Sequence, residues 1–130
     1  MKKVFVYGTL MRGNSNNSFY LKDSTFVGKG IIQGYALYDL GSYPGIIPTE
    51  NEYTKGEVFE VDDNMIPRLD QLEGEGFLYK RNLVKVEMDN EVFEEVYVYI
   101  WMGSIDINRK VNLEDQPWKL NDLLSRVSRI

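Results

Sequence analysis

The stretch from Phe26 to Leu40, FVGKGIIQGYALYDL, decides the fold. It is long and apolar enough for a β-strand, but glycines interrupt it at positions 28, 30 and 34. A glycine inside a strand indicates a β-bulge or the close approach of another backbone, and a bulge bends the strand. Small barrels turn their corners in this way, so the stretch predicts one long bent strand of a partly closed β-barrel.

Hydrophobic alternation predicts further strands on both sides of this stretch. Val4 to Tyr7 is a short β-type run, and Lys55 to Val61 alternates apolar and polar side chains. Tyr79 to Met88 and Val92 to Met102 predict a hairpin with Asp89-Asn90 at its turn. Both faces of the second strand of this hairpin, Val92 to Met102, are apolar, which favours a position in the middle of the sheet.

Two segments between these strands read as loops. Gly41 to Pro48, GSYPGIIP, contains two prolines, so we expect turns there rather than a central strand. Arg12 to Ser18 is rich in turn-forming polar residues. Ser18 is a plausible N-cap for a single helical turn from Phe19 to Lys22.

A short amphipathic helix is predicted from Asn64 to Glu73, with Asp63 as its cap. Pro67 falls in the first turn, where proline is tolerated. Gly74 is placed to end the helix in a left-handed conformation. One face of the helix is apolar, and it consists of Met65, Leu69 and Leu72.

The length of 130 residues fits a single domain spanning 1–130, with its core in residues 3–102. The tail from 103 to 130 is charged, and a short helix is expected over Leu120 to Val127. Strands interspersed with lone helices indicate an α+β fold, a small mixed-strand barrel flanked by one to three short helices.

Composition excludes several classes of function. The formal charge of −5 disfavours nucleic acid as a partner. Without cysteine or histidine, the chain has no disulfide, thiolate nucleophile, Ser-His-Asp triad or soft metal site. We expect no metal and no cofactor. The N-terminus lacks a signal-peptide core and no window is apolar enough to span a membrane, so we expect a cytoplasmic location. Monomer and homodimer both stay open.

Glu73 is the leading candidate for acid–base chemistry. It ends the predicted helix beside the apolar face, where partial burial and the helix C-terminus both disfavour a charged carboxylate. Asp70 and Glu75 add like charge nearby. These effects should raise the pKa of Glu73 towards neutrality, as a general base requires. From the residues alone, a solvated helix-end glutamate is an equally good interpretation.

Weaker signals lie elsewhere. Gly8 follows the first strand, and either an ordinary turn or an anion-accepting nest of N–H groups fits that position. Tyr43 and Tyr79 border glycine-containing turns where a pocket wall could form. Arg12 and Arg81 could each pair with a carboxylate, although an unpaired arginine on the surface is the commoner case.

Three segments together resemble the gamma-glutamylcyclotransferase-like (AIG2-like) family: VFVYGTLMRGNSNN, GSYPGI and LDQLEGEGFLYKRNLVKVEM. The likeness is to the branch that includes gamma-glutamylamine cyclotransferase, and it covers residues 3 to about 102. It implies a small β-barrel flanked by helices. It also implies that Glu73 is the acid/base. Glu75 is only two residues away, but the position of the Leu69-Asp70 pair makes Glu73 the better match to the family's motif. The residues implied to bind the substrate are Tyr7, Gly8, Thr9 and Leu10, through backbone amides, with Tyr43 and Tyr79 lining the pocket.

The implied reaction suits this composition. A γ-glutamyl amine or amide would close on itself, its α-amino group attacking the γ-carbonyl to give 5-oxoproline and a free amine. Such a reaction requires no protein nucleophile, metal or cofactor. Two alternatives stay open: a non-catalytic module that binds small molecules, and a tailoring enzyme that removes a γ-glutamyl protecting group in a biosynthetic pathway.

Overall fold

The computed structural model describes residues 1–120 of the chain. These residues form six strands, two α-helices and two short 3-10 helices. In chain order the elements are β1 (Lys2–Val6), α1 (Ser15–Tyr20), β2 (Thr25–Asp39), β3 (Pro44–Val61), α2 (Met65–Glu73), β4 (Tyr79–Met88), β5 (Phe93–Trp101), a 3-10 helix (Ile107–Arg109), β6 (Lys110–Val111) and a second 3-10 helix (Leu113–Asp115).

Five of the strands form a closed barrel. Their order is β3-β1-β5-β4-β2, and pairing of β2 with β3 closes the ring. β1 and β5 are parallel, whereas the other neighbours are antiparallel. β6 adds a short sixth strand beside β2. The predicted α+β barrel is confirmed, and its ring is complete. β5 lies between β1 and β4, as its two apolar faces indicated.

The glycines of β2 bend the strand as predicted. Its pairing with β3 shifts register between Phe26 and Gly28 and again between Gln33 and Tyr35, on either side of Gly34. Gly34 has φ 90°, a conformation that a side chain disfavours. Each shift bends the strand, and the bends allow a strand of 15 residues to follow the wall of a small barrel.

The predicted loop over Gly41 to Pro48 is wrong in its second half. β3 begins at Pro44 and pairs with β2 from Asp39 opposite Pro44 onward. β1 pairs with β3 only from Glu57 to Val61. The part of β3 that begins at Pro44 is therefore paired on one side, with β2. A strand with a neighbour on one side tolerates prolines, whose missing N–H then faces away from the ladder.

Both helix caps are also corrected. α1 begins at Ser15, inside the segment predicted as a loop, and its N-cap is Asn14 rather than Ser18. Asn64 takes the N-cap position of α2, whereas the Asp63 carboxylate lies 3.0 Å from the amino-terminal nitrogen of Met1. The left-handed end at Gly74 is confirmed, with φ 63° and ψ 47°.

Apolar side chains form two clusters on the barrel. One fills its interior with residues of β1, β2, β3, β4 and β5, together with Trp118. The other packs α2 and the loop after β1 against the outside of the barrel, around Leu69. Trp118 comes from the charged tail, where no sequence pattern predicted a core residue. The helix predicted over Leu120 to Val127 lies outside the described residues. Among residues 1–120, every helix is too short or too polar to cross a membrane.

Candidate active site

A cleft opens where β1 ends, beside the C-terminus of α2. The cleft is open to solvent, and the empty space between its walls is about 360 Å³. The structure brings all of the predicted site residues together here: Tyr7, Gly8, Thr9, Leu10, Tyr43, Glu73 and Tyr79. The roles assigned to them remain predictions. Sequence reasoning missed the other lining residues, Phe5, Val6, Pro44 and Tyr99.

Glu73 reaches the cleft because α2 ends there. Fully buried Leu69 fixes the helix against the barrel. Gly74 then turns its N–H back to the carbonyls of Asp70 and Gln71, so the helix ends at Glu73. Burial of the Glu73 carboxyl raises its pKa from 4.5 to about 7. A group with this pKa both accepts and donates protons near neutrality.

The cause of this shift is desolvation, not like charge. The Asp70 carboxylate accepts a hydrogen bond from the Tyr99 hydroxyl at 2.7 Å and forms an ion pair with Arg81. The Glu75 carboxylate accepts from the backbone N–H of Arg81 at 3.1 Å. The expectation that Asp70 and Glu75 help to raise the pKa is therefore wrong. Glu75 is also absent from the cleft lining. The choice of Glu73 over Glu75 as the candidate acid/base is therefore consistent with the structure.

Three asparagine side chains shape the loop after β1. Asn14 donates to the carbonyl of Gly8 at 2.9 Å, and Asn17 donates to the carbonyl of Leu10 at 2.8 Å. Asn16 donates to the Thr9 hydroxyl at 2.8 Å. All three belong to the asparagine-rich segment around the start of α1. The sequence signal was present in GNSNN, but it indicated only a polar loop.

The same loop leaves its donors available. The hydrogen bonds of residues 1–120 include none donated by the backbone N–H groups of Gly8, Thr9 or Leu10. Successive N–H groups of this kind can bind an anion. Gly8 also has a packing role that the sequence did not reveal. A Cβ atom there would lie 2.7 Å from Cδ of Pro44, too close for any other residue without movement.

Buried tyrosines form the walls. The Tyr7 hydroxyl donates to the carbonyl of Tyr99, and the Tyr79 hydroxyl donates to the carbonyl of Pro44, both at 2.6 Å. Burial raises the pKa of Tyr7 and of Tyr79 well above the ordinary value, and the nearby charge of Glu73 adds to both shifts. These phenols stay protonated near neutrality. Glu73 is then the group lining the cleft that titrates in that range.

Arg12 and Arg81 each pair with a carboxylate, the less common of the two alternatives that the sequence left open. Nε of Arg12 lies 3.1 Å from a Glu57 carboxylate oxygen, and the guanidinium sits over the ring of Phe26. Arg81 pairs with Asp70, as described above. Neither arginine lines the cleft. No cluster of acidic side chains within residues 1–120 is arranged to hold a metal ion.

Comparison with known proteins agrees with this architecture. The family model described as gamma-glutamyl cyclotransferase, AIG2-like, matches residues 4–120. The chain belongs to this family. The gamma-glutamylcyclotransferase family protein YtfP of Escherichia coli is 32% identical over 104 residues, which are 80% of this chain and 86% of that protein. The crystal structure of an AIG2-like protein from Mus musculus superimposes with a TM-score of 0.68 at 28% identity, covering 77% of this chain and 76% of the other.

A further member of the family carries a specific activity in its name. Gamma-L-glutamyl-butirosin B gamma-glutamyl cyclotransferase of Niallia circulans is 38% identical over 74 residues, covering 56% of this chain and 46% of that protein. Family membership and this relative support a gamma-glutamyl cyclotransferase activity for the chain.

Proposed function

We propose that the protein converts a γ-glutamyl amine or amide into 5-oxoproline and the free amine, with Glu73 as general acid and base. One observation carries the proposal. A carboxyl group with a pKa of about 7 lines the same small cleft as a loop whose backbone N–H groups are available. A proton carrier and an anion-binding loop are the parts that this reaction requires.

The bond changes occur within one substrate molecule. The α-nitrogen attacks the γ-carbonyl carbon and closes a five-membered lactam, and the bond from that carbon to the leaving nitrogen breaks. Because the attack is intramolecular, a pocket that holds the folded-back conformer removes much of the entropic barrier. The cleft walls of buried Tyr7 and Tyr79 suit this task, since hydrogen bonds fix both rings.

Glu73 would carry the protons. The substrate's α-ammonium group has three protons, of which the lactam nitrogen keeps one. The ionised Glu73 carboxylate takes one proton from the ammonium group, which frees the nitrogen lone pair for attack. It returns this proton to the leaving nitrogen as the carbon–nitrogen bond breaks, and the amine is released. Glu73 then takes the second proton from the ring nitrogen and passes it to the amine, which departs as its ammonium form and leaves the carboxylate ionised again.

The loop would supply the electrostatic stabilisation. No lysine or arginine is among the residues that line the cleft. The N–H groups of Gly8, Thr9 and Leu10 are therefore our candidates to hold either the substrate's carboxylate or the oxyanion that develops on the γ-carbonyl oxygen. Both assignments use the same donors. The proposed partner is thus a small molecule, with the protein acting as a monomer or a homodimer.

The test is the rate of 5-oxoproline formation from γ-glutamyl methylamide, measured by chromatography. Glu73→Gln keeps the shape of the side chain but cannot carry a proton, so kcat should fall by about 10²- to 10⁴-fold. Glu75→Gln is the matched control, because that carboxylate contacts Arg81 outside the cleft and its loss should change kcat by less than about fivefold. A Glu73→Gln variant with the wild-type rate would refute the role of Glu73.

A tailoring role is the second candidate, favoured by the name of the Niallia relative. It involves the same chemistry but predicts that simple amides are turned over much more slowly than a γ-glutamyl derivative of a large amine. A non-catalytic binding module makes a third, separate prediction. The purified protein would then retain the γ-glutamyl compound and form no 5-oxoproline during long incubation.

A further inference from the structure

The mouth of the cleft is aromatic. Among the lining residues Tyr43 is the exposed one, with 40% of its surface accessible, whereas Tyr79 is 5% accessible. The Trp101 ring lies between them, with its centroid 6.2 Å from that of Tyr43 and 5.2 Å from that of Tyr79. Trp101 is partly exposed and lies beside the lining residues rather than among them, and the three rings form one aromatic surface that runs from the buried wall of the cleft to the solvent.

The central ring of this surface is held in place before any ligand arrives. The indole N–H of Trp101 donates to the carbonyl of Ser104 at 2.9 Å. Two glycines make room for the ring: a Cβ atom on Gly45 would lie 2.7 Å from Cβ of Trp101, and one on Gly103 would lie 2.5 Å from Cζ2. A rigid aromatic surface binds a flat apolar group with little loss of its own conformational freedom.

The charge of the cleft works against a carboxylate near the mouth. Glu73 is the one charged side chain in the lining, and no lysine or arginine faces it there. Arg81, eight residues after Glu73, is occupied by Asp70. A carboxylate on the leaving amine would thus approach an acidic group in a partly desolvated cleft, and the N–H groups of Gly8, Thr9 and Leu10 are already assigned to the γ-glutamyl part of the substrate.

We infer that the leaving amine of the natural substrate carries an aromatic ring and no carboxylate. This inference rests on the proposed function and specifies its substrate class. The γ-glutamyl part occupies the cleft beside Glu73, and the ring of the amine packs against Tyr43 and Trp101. The amine departs past these rings as its ammonium form. Derivatives of amino acids, which carry a carboxylate beside the scissile amide, are poor substrates.

Three probes separate the two parts of the inference. γ-Glutamyl phenethylamide carries the ring alone, γ-glutamyl-phenylalanine adds a carboxylate to the same skeleton, and γ-glutamyl methylamide carries neither. We expect kcat/KM for the phenethylamide to exceed that of the methylamide by about threefold to tenfold, as one or two ring contacts provide. It should exceed that of the phenylalanine derivative by at least about tenfold.

Variants at two tyrosines connect the preference to the mouth. Tyr43→Ser should bring the phenethylamide-to-methylamide ratio of kcat/KM close to one. Tyr53→Ser is the control, because Tyr53 has the same 40% exposure but lies outside the cleft lining. It should leave the ratio at the wild-type value. A thermal melt of each variant shows whether it is folded, and Tyr43→Phe, which keeps the ring, should preserve the preference.

Each outcome decides one question. Equal kcat/KM for the phenethylamide and the methylamide overturns the aromatic part of the inference, while the proposed function stands. Equal turnover of the phenylalanine derivative and the phenethylamide overturns the exclusion of carboxylates. If none of the three probes yields 5-oxoproline, the proposed function itself fails, and the inference fails with it.

Discussion

Replacing Glu73 by glutamine should stabilise the protein increasingly as the pH rises. The folded state binds the Glu73 proton with a pKa of about 7, whereas an unfolded chain binds it near 4.5. Between these values the folded state holds more protons than the unfolded state, so the free energy of unfolding falls as the pH rises. A glutamine side chain does not titrate, and the variant escapes this loss.

The size of the effect follows from the two pKa values. With a free energy of about 1.4 kcal/mol per pKa unit, the full cost of ionising Glu73 in the folded state is about 3 kcal/mol above pH 8. Because the sequence pI is 4.8, measurements are best kept above pH 5.5. Between pH 5.5 and 8.5 the stability of Glu73→Gln relative to wild type should increase by about 2 kcal/mol.

Urea unfolding at pH 5.5, 7.0 and 8.5 measures this change for both proteins. In thermal melts it corresponds to roughly 6–8 °C in the difference between the two Tm values. Glu95→Gln, which removes an exposed carboxylate from β5, is the control, and it should change the free energy of unfolding by less than about 0.5 kcal/mol. A difference for Glu73→Gln that does not change with pH would show that Glu73 is not desolvated and does not have the raised pKa that a base near neutral pH requires.

Four further outcomes are expected. The kcat/KM of the wild-type enzyme should rise with pH along a titration curve with an apparent pKa of about 7, because the ionised form of Glu73 is the base and kcat/KM reports the pKa of the free enzyme. The measurement is 5-oxoproline formation from γ-glutamyl methylamide. Gly8→Ala should lower stability by about 1–3 kcal/mol in urea unfolding and reduce kcat/KM, since its new methyl group meets Pro44 and displaces the loop. Asp70→Ala should lower the free energy of unfolding by about 1–3 kcal/mol in the same assay, because it leaves the Tyr99 hydroxyl and the Arg81 guanidinium without their acceptor. Asp70→Asn keeps an acceptor and should lower it by less. Trp118→Ala should cost about 3–5 kcal/mol, whereas exposed Lys119→Ala should leave the urea midpoint nearly unchanged.

Local signals were sufficient for the elements whose shape is locally determined. The glycines of β2 mark its register shifts, and Gly74 ends α2 because few other residues adopt a left-handed conformation there. The hairpin of β4 and β5 followed from alternation and its turn. The convergence of Glu73 with the loop after β1 came from a resemblance to a family, because no local pattern relates positions more than sixty residues apart.

The errors concern features that depend on distant partners. The prolines of GSYPGIIP indicated a loop, but a proline disrupts a strand only where its N–H would be needed, and sequence alone does not show that this part of β3 has β2 as its neighbour. The like charge of Asp70 was misjudged for the same reason. Its neutralising partner, Arg81, lies eleven residues away, on β4. Pairing of this kind becomes visible only when the strand is placed beside the helix.

The three asparagine amides that hold the loop after β1 also make the loop sensitive to deamidation during storage. Asparagine is a thermally labile residue, and hydrolysis of its amide leaves an aspartate. An aspartate at position 14 or 17 would lose the N–H that holds the carbonyl of Gly8 or Leu10, because a carboxylate only accepts. It would also place a new negative charge beside the N–H groups assigned to the substrate. A stored sample should therefore lose activity in step with a mass increase of about one dalton per deamidated site in the peptide containing Asn14 to Asn17, while its barrel stays folded.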